Sequence, residues 1–226
     1  MDLIFDVSSL ASDDDGYSTS KKDVLRFLKD IGVDTRFISY TPYKIYINNL
    51  RFSKFSRKRQ QTFEKQYAEI EVVRNSLFQK ICSKSSRTLS AQLKPNSRIL
   101  IKDDIYIVNL LLEPYTRKYG VKLVYSGEYD FVVNPVILDD EVNSIFEGIF
   151  NGEGIDFTRK DNEIYPLINI SLDWINSFLK MDNQKLMEKK NNSKIANSFS
   201  SFLDEVAPQY KENVLKAKEF IELKTK

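Results

Sequence analysis

Apolar residues recur at two different spacings along the first part of the chain, and each spacing predicts a different element. A short apolar run over residues 3–7 is typical of a buried strand, and it encloses Asp6. Residues 21–31 place apolar side chains three and four positions apart, which predicts an amphipathic helix. Residues 35–40 and 44–47 then predict two further strands.

The middle of the chain predicts a long helix and then a strand–helix–strand unit. Residues 55–81 carry apolar side chains at helical spacing among many charges, which predicts one long surface helix. Residues 83–97, rich in Ser and Lys, predict a loop. Residues 98–101 predict a strand, 103–119 a helix and 121–125 the next strand.

The order of these elements predicts the fold class. Strands alternate with helices over the first 135 residues, which favours an α/β fold with a mostly parallel central sheet flanked by helices. After Asp139 the pattern is helical, so we expect an α/β domain over 1–140 and a helical C-terminal region over 141–226. The helices predicted there cover 141–150, 171–181, 195–206 and 209–223.

The amino-acid composition excludes several kinds of catalytic and metal site. The chain has no histidine and one cysteine, Cys82, which excludes Ser-His-Asp and Cys-His triads and zinc sites built from His or several thiolates. Any bound metal would therefore be a hard cation held by carboxylates, namely magnesium, manganese or calcium. No run of 18 apolar residues and no basic leader before an apolar stretch is visible, so we expect a soluble, cytoplasmic protein.

The net charge of +2 conceals an uneven distribution. Residues 50–100 carry 12 Lys and Arg against 3 Asp and Glu, whereas residues 101–170 carry 6 against 13. A basic block beside an acidic block favours a polyanion-binding surface next to a metal-binding cleft. The alternative is a dipolar surface without a partner.

The basic block interleaves cations with aromatic residues in a manner that suits phosphate contact and base stacking. The alternative is an amphipathic helix whose aromatic residues belong to the core and whose charges are solvated. The candidate nucleic-acid-binding cations are Arg51, Lys54, Arg57, Lys58, Arg59 and Lys65, and the aromatic residues among them are Phe52, Phe55, Phe63 and Tyr67.

Acidic residues follow or lie within several predicted strands. In open parallel sheets functional groups gather beyond the carboxyl ends of the strands, so these acids are expected to converge on one site. Each acid also has a purely structural explanation, because acids are common at strand edges and in the first turn of a helix. The candidates are Asp6, Asp103, Asp104, Glu128 and Asp130, the last two from the stretch S-G-E-Y-D-F.

The order of these motifs resembles the PIN-like 5′-nuclease superfamily of flap endonucleases, especially the phage RNase H-type 5′-exonucleases. The resemblance covers roughly residues 1–160. It rests on L-I-F-D-V-S-S-L-A with Asp6, Y-I-N-N with Asn48 and Asn49, the basic segment 51–67, I-K-D-D-I with Asp103 and Asp104, S-G-E-Y-D-F with Glu128 and Asp130, and G-E-G-I-D-F with Asp156.

The resemblance implies a metal-dependent 5′-nuclease that cleaves DNA or RNA–DNA hybrids. One or two Mg²⁺ or Mn²⁺ ions would be held by Asp6, Asp103, Asp104, Glu128, Asp130 and Asp156, and the first five would be catalytic. Two alternatives stay open. Asn48 and Ile101 stand where the superfamily carries acids, which favours a degenerate nuclease-fold protein acting as a nucleic-acid-binding or assembly subunit. L-I-F-D-V-S-S-L and Y-D-F-V-V-N-P also resemble the N-terminal half of a two-domain glycosyltransferase.

Overall fold

The computed structural model describes residues 20–157, 160–188, 194–207 and 209–225. The strand predicted around Asp6 lies outside these residues. The helices are α1 (Lys21–Asp30), α2 (Leu50–Ser53), α3 (Arg57–Gln66), α4 (Ser76–Gln92), α5 (Tyr106–Leu112), α6 (Tyr115–Lys118), α7 (Leu138–Phe150), α8 (Leu172–Met181), α9 (Lys194–Val206) and α10 (Tyr210–Thr225). The strands are β1 (Ile38–Tyr40), β2 (Lys44–Ile47), β3 (Glu71–Val73), β4 (Arg98–Leu100), β5 (Lys122–Val124), β6 (Phe131–Val133) and β7 (Glu163–Ile164).

The strands form two sheets. In the first, β1 and β2 are an antiparallel pair, and β3 adds parallel to β2. The second sheet has the order β5-β4-β6-β7, and each neighbouring pair is parallel. This parallel sheet with helices packed against it confirms the predicted α/β class. The predicted division at residue 140 stays a prediction.

The connection between β5 and β6 decides where the acidic stretch lies. Both strands run parallel to β4 and flank it on opposite sides. The chain must therefore pass from the carboxyl end of β5 to the amino end of β6 within residues 125–130. Six extended residues span about 20 Å, which is enough for the chain to cross β4 and to run back to the level at which β6 begins. S-G-E-Y-D is thus a crossover that ends at the amino edge of the sheet.

Three groups of buried apolar side chains hold the elements together. The largest joins the parallel sheet to α4, α5 and α8, and it includes Phe78, Ile107 and Phe178. A second group packs α1 and α3 against the first sheet. A third joins α7 to α9 and α10, where Phe146 stacks on Tyr210 with the ring centroids 6.1 Å apart.

The prediction of one helix over 55–81 and a loop over 83–97 is wrong. The helix α3 ends at Gln66, β3 pairs in parallel with β2, and α4 continues to Gln92. Local signals explain the difference. Ile70, Val72 and Val73 are β-branched and suit a strand, and the Asn75 side chain caps α4 by accepting a hydrogen bond from the Phe78 N–H at 2.9 Å.

No helix in the described part of the chain is both long enough and apolar enough to cross a membrane. The cytoplasmic location stays a prediction.

Candidate functional site

The carboxylates of the acidic stretch lie at the amino end of the parallel sheet, where Arg98 begins β4. The Arg98 main-chain N–H donates to Asp130 Oδ2 at 2.7 Å. The Arg98 guanidinium donates to Glu128 Oε2 at 2.9 Å, and Glu128 is largely exposed. The two acids therefore share one half-buried arginine.

The other acidic pair follows the carboxyl end of β4. Asp103 and Asp104 are exposed in the turn that leads into α5, and Asp104 accepts a hydrogen bond from Asn109 Nδ2 at 2.6 Å. The length of β4 thus separates this pair from Glu128 and Asp130. Asp6 lies outside the described residues.

Asp156 lies in a third place, beside the carboxyl ends of β6 and β7. It is exposed and lines a polar pocket of about 260 Å³ together with Glu141, Glu163, Lys160 and Lys218. The acids in this pocket have partners. Glu163 accepts hydrogen bonds from the Asn134 amide and the Tyr165 hydroxyl, which hold the pKa of its carboxyl below the usual value.

Over residues 20–157, 160–188, 194–207 and 209–225, no three His, Cys, Asp or Glu side chains are grouped so that they could hold a metal ion. The structure therefore brings together Glu128 with Asp130, and Asp103 with Asp104, but not one pair with the other. The predicted Mg²⁺ or Mn²⁺ cofactor required that convergence.

A cavity of about 830 Å³ lies between β5 and α5. Its wall is formed by the whole of β5, one side of α5, the end of β1 and residues 184–187 after α8. The lining is mostly apolar, and its charged members are Asp104, Glu113, Lys21, Lys122 and Lys185. A cavity of this size is typical of small-ligand sites.

The turn entering this cavity lacks the features of a phosphate-binding loop. Residues 101–105 read Ile-Lys-Asp-Asp-Ile, with no glycine. Phosphate loops use glycines so that backbone N–H groups can approach the anion closely. The lining carries charges of both signs, Lys21, Lys122 and Lys185 with Asp104 and Glu113, so the charge of the cavity does not by itself select against an anion.

A buried carboxylate holds one wall of the cavity. Glu113 accepts hydrogen bonds from the two terminal guanidinium nitrogens of Arg117 and, at 3.1 Å, from the Tyr40 main-chain N–H. The Lys21 ammonium forms an ion pair with the same carboxylate at 3.1 Å. Burial opposes ionisation of Glu113, but the Arg117 hydrogen bonds and the nearby cations outweigh it and lower its pKa. Arg117 also donates to the Ile38 carbonyl at 2.8 Å, so this pair ties α5 and α6 to β1.

A hydroxyl network reaches the cavity from the first sheet. The Tyr46 hydroxyl donates to Asp182 Oδ2 at 2.5 Å and lies 2.7 Å from the hydroxyl of Tyr106, which lines the cavity. Lys44 Nζ donates to the other oxygen of Asp182 at 2.6 Å. Burial and the hydrogen bond to Asp182 raise the pKa of Tyr46 far above its usual value, so it stays protonated.

The predicted nucleic-acid-binding residues lie on α2, on α3 and in the turn between them. The aromatic residues among them differ in burial: Phe55 and Phe63 are fully buried, whereas Phe52 is 53% exposed. Arg59 is half-buried and donates to the Lys54 carbonyl at 2.5 Å. The remaining cations are exposed, and none forms an ion pair within 4 Å with a described acid, although Lys54 lies near enough to Asp34 to help lower the pKa of that carboxyl. We call Arg51, Lys54, Arg57, Lys58 and Lys65 the α2–α3 basic surface.

Residues distant in sequence complete this surface. Phe37, in the 3-10 turn before β1, packs against Phe52 with the ring centroids 5.2 Å apart. Lys118, at the end of α6, places its ammonium 5.9 Å from the Phe37 ring centre. Neither residue was predicted, because only the tertiary fold brings α6 and this turn to α2.

No protein-family model matches this sequence, and no curated protein matches it. Among solved structures, the fold is similar to that of the U34-tRNA thiolase NcsA from Methanococcus maripaludis with its 4Fe-4S cluster. The identity is 13%, the match covers 70% of this chain and 83% of the thiolase chain, and the TM-score is 0.50. At that identity the likeness concerns the fold.

This similarity corrects several expectations. The resemblance to PIN-like 5′-nucleases is wrong, and with it the predicted flap-endonuclease and phage-exonuclease function, because the similar solved fold is a tRNA thiolase. The nuclease-fold subunit and glycosyltransferase alternatives are not supported either. The Mg²⁺ or Mn²⁺ cofactor is also wrong: the acids expected to share the ions lie at opposite ends of β4, and the similar structure carries an iron–sulfur cluster.

The iron–sulfur cluster of that neighbour does not fit this chain. Such clusters are held mainly by several cysteine thiolates, and this sequence has one cysteine and no histidine. Cys82 is buried in α4, and burial raises the pKa of its thiol well above the usual value. This chain therefore lacks the thiolate ligands that such a cluster requires.

Proposed function

We propose that the protein binds RNA, in the first place structured RNA of the tRNA class, through the α2–α3 basic surface. The observation that carries this proposal is the set of five exposed cations that form no ion pair with an acid of the described chain. Cations left free in this way exchange counterions for phosphates, which is the main source of affinity for nucleic acids.

Two further observations support RNA as the partner. The neighbouring Phe52 ring is 53% exposed, and exposed aromatic rings stack on the unpaired bases that RNA loops present. The similar solved fold belongs to a protein described as a U34-tRNA thiolase. With one buried cysteine, this chain would serve in recognition of the RNA and not in sulfur transfer by a bound cluster.

The test measures binding of a fluorescently labelled tRNA transcript and of a DNA duplex by anisotropy over a range of salt concentrations. The variant Arg51→Gln/Arg57→Gln/Lys58→Gln removes three cations of the surface. The control Lys180→Gln/Lys216→Gln/Lys224→Gln removes three exposed cations elsewhere. Each lost phosphate contact should reduce the slope of log K against log salt by about 0.7–0.9, so the first variant should lose about 2–3 and the control little.

Equal slopes for the two variants would place the RNA contacts elsewhere. Equal affinity for tRNA and the DNA duplex would reject the preference for structured RNA. Absence of binding by the unmodified chain at low salt would reject the proposal altogether.

A second candidate function is small-ligand binding, favoured by the 830 Å³ cavity between β5 and α5. Because the lining is mostly apolar and residues 101–105 have no glycine to bring backbone N–H groups close to a phosphate, the cavity should prefer adenosine over its phosphorylated form. Thermal shifts with adenosine and with ATP test this preference. The variant Leu123→Trp fills the cavity and should abolish the adenosine shift, and a larger shift with ATP would contradict the assignment.

A further inference from the structure

A third pocket, smaller than the large cavity, adjoins the α2–α3 basic surface. It encloses about 290 Å³ between the 3-10 turn, α2, α4 and α6. Its wall includes Phe37, Phe52, Asn48, Asn49, Ser85 and Lys118, and no lining residue is acidic. The pocket is therefore chemically unlike the large cavity, which contains two carboxylates.

Two aromatic rings form one side of the pocket. Phe37 and Phe52 pack with centroids 5.2 Å apart and ring planes inclined by 32°, and Phe52 keeps about half of its surface exposed. The Arg51 guanidinium lies 5.9 Å from the Phe52 ring centre. An aromatic face bordered by cations is the arrangement on which single-stranded bases stack.

Polar groups with unused hydrogen-bonding capacity also line the pocket. Asn48 Oδ1 accepts from Ser39 Oγ at 3.0 Å, and Asn49 Oδ1 accepts from the Phe52 N–H at 3.0 Å. Each side-chain amide therefore keeps its N–H donors unused within the described residues. The Ser85 hydroxyl is buried in the pocket wall and has no hydrogen-bond partner there.

Buried polar groups are almost always hydrogen-bonded, so an unpartnered hydroxyl in a pocket wall indicates a missing partner. Amide donors together with a hydroxyl match the donor and acceptor edge of a nucleobase. Lys118 forms no ion pair with a described residue and lies beside Phe37, where it can contact a phosphate.

We propose that this pocket takes one unstacked nucleotide of a bound RNA strand. The base stacks on Phe52, the amides of Asn48 and Asn49 read its edge, and Lys118 and Arg51 contact the flanking phosphates. The proposal rests on the RNA-binding function proposed above and names the part of the RNA that this site holds: an unpaired nucleotide in a loop or an end.

The test uses the full chain and an RNA hairpin that carries 2-aminopurine at one loop position. The variants are Phe52→Ala and Asn48→Ala, and Phe220→Ala is the control because Phe220 is also highly exposed but lies on α10. The unmodified chain should quench 2-aminopurine fluorescence on binding. Loss of a stacked base costs about 1–3 kcal/mol, which corresponds to an affinity loss of about 5- to 150-fold for Phe52→Ala.

The same variant should lose the quenching while its salt dependence stays unchanged, because Phe52 carries no charge. Thermal melting confirms that each variant is folded. Affinity and quenching of Phe52→Ala and Asn48→Ala equal to those of Phe220→Ala would overturn the nucleotide pocket while leaving RNA binding intact. No hairpin binding by the unmodified chain would reject both proposals, and competition by AMP as effective as by the hairpin would assign the pocket to free nucleotides instead.

Discussion

Arg98 and Asp130 are joined at the amino end of the parallel sheet, where the Arg98 main-chain N–H donates to the Asp130 carboxylate at 2.7 Å. This contact fixes the end of the crossover between β5 and β6. It also places Asp130 at the opposite end of β4 from Asp104, which lines the large cavity. The two halves of the expected carboxylate cluster therefore cannot share an ion, since ligands of Mg²⁺ lie about 2.1 Å from it.

The first prediction concerns divalent metal. Asp104→Asn/Asp130→Asn should leave the response of the melting temperature to Mn²⁺ unchanged from that of the unmodified chain. A specific site occupied at 100 times its dissociation constant would add about 2.7 kcal/mol to the free energy of unfolding, a shift that calorimetry detects easily. A Mn²⁺-dependent shift in the unmodified chain that the double variant loses would show that these acids bind metal together.

A second prediction concerns the buried ion pair beside the cavity. Glu113→Gln removes the charge that Arg117 and Lys21 contact, and it leaves the largely buried Arg117 without its partner. Breaking one side of such a pair costs about 3–5 kcal/mol in the free energy of unfolding. Urea denaturation measures it, with Glu128→Gln as the control. Glu128 is 86% exposed in its pair with Arg98, so the control should change the free energy by less than about 1 kcal/mol.

The same pair predicts how stability depends on pH. The pKa of Glu113 is lower in the folded chain than in the unfolded chain, so the pair contributes its full stabilisation above the unfolded pKa of about 4.3. That stabilisation is lost as the pH falls through the lower folded pKa. The difference in unfolding free energy between the unmodified chain and Glu113→Gln should therefore be constant near neutrality and shrink below about pH 4. A difference that grows on acidification would show that burial, and not Arg117, dominates the ionisation of Glu113.

The parallel sheet was predictable because its central unit is local in sequence. Residues 98–101 and 121–125 are apolar runs separated by one helical pattern, and the structure places β4 and β5 there as parallel neighbours. The short strands were not predictable in the same way. Strand β3 has three residues and β7 has two, and their identity comes from pairing with β2 and β6, which lie about 30 residues earlier.

The candidate sites likewise combine features that the sequence predicts with features that only the tertiary fold produces. The six cations on and between α2 and α3 can be read from the sequence alone, and the structure exposes five of them; their binding of nucleic acid stays a prediction. The position of Asp130 cannot be read from the sequence, because it depends on which side of β4 the strand β6 pairs with. Lys118 and Phe37 are ordinary surface residues in the sequence, and they join Phe52 only after α6 packs against the 3-10 turn.

A fourth prediction concerns the hydroxyl network that links the first sheet to the cavity wall. Tyr46→Phe keeps the fully buried ring but removes the hydroxyl that donates to Asp182 and contacts Tyr106. Asp182 then loses one hydroxyl donor and keeps its bond from Lys44, and the loss should cost about 1–3 kcal/mol in unfolding free energy. Tyr43→Phe, at a residue that is 68% exposed, should change it by less than about 0.5 kcal/mol. Equal stability of the two variants would show that the Tyr46 hydroxyl has no net effect.

The last prediction separates backbone strain from steric conflict at two glycines. Gly120 (φ +67°) and Gly127 (φ +85°) both adopt left-handed backbone conformations, and Gly127 belongs to the crossover stretch. Alanine in such a conformation costs about 1–2 kcal/mol, so both Gly→Ala variants should lose at least that much in unfolding free energy. At Gly127 no other atom lies within 4 Å of the added Cβ, whereas at Gly120 the Cβ would lie 2.5 Å from Asn96 Oδ1.

Gly120→Ala must therefore displace the Asn96 side chain as well, and it should be the more destabilised of the two by urea denaturation. Comparing Gly120→Ala/Asn96→Gly with Asn96→Gly alone tests the cause, because both variants lack the Asn96 oxygen and both relieve the positive φ of residue 96. Between these two variants, Gly120→Ala should cost only the backbone strain that Gly127→Ala shows. If Gly127→Ala is as unstable as Gly120→Ala, the contact with Asn96 has no energetic consequence and backbone conformation alone sets the requirement for glycine.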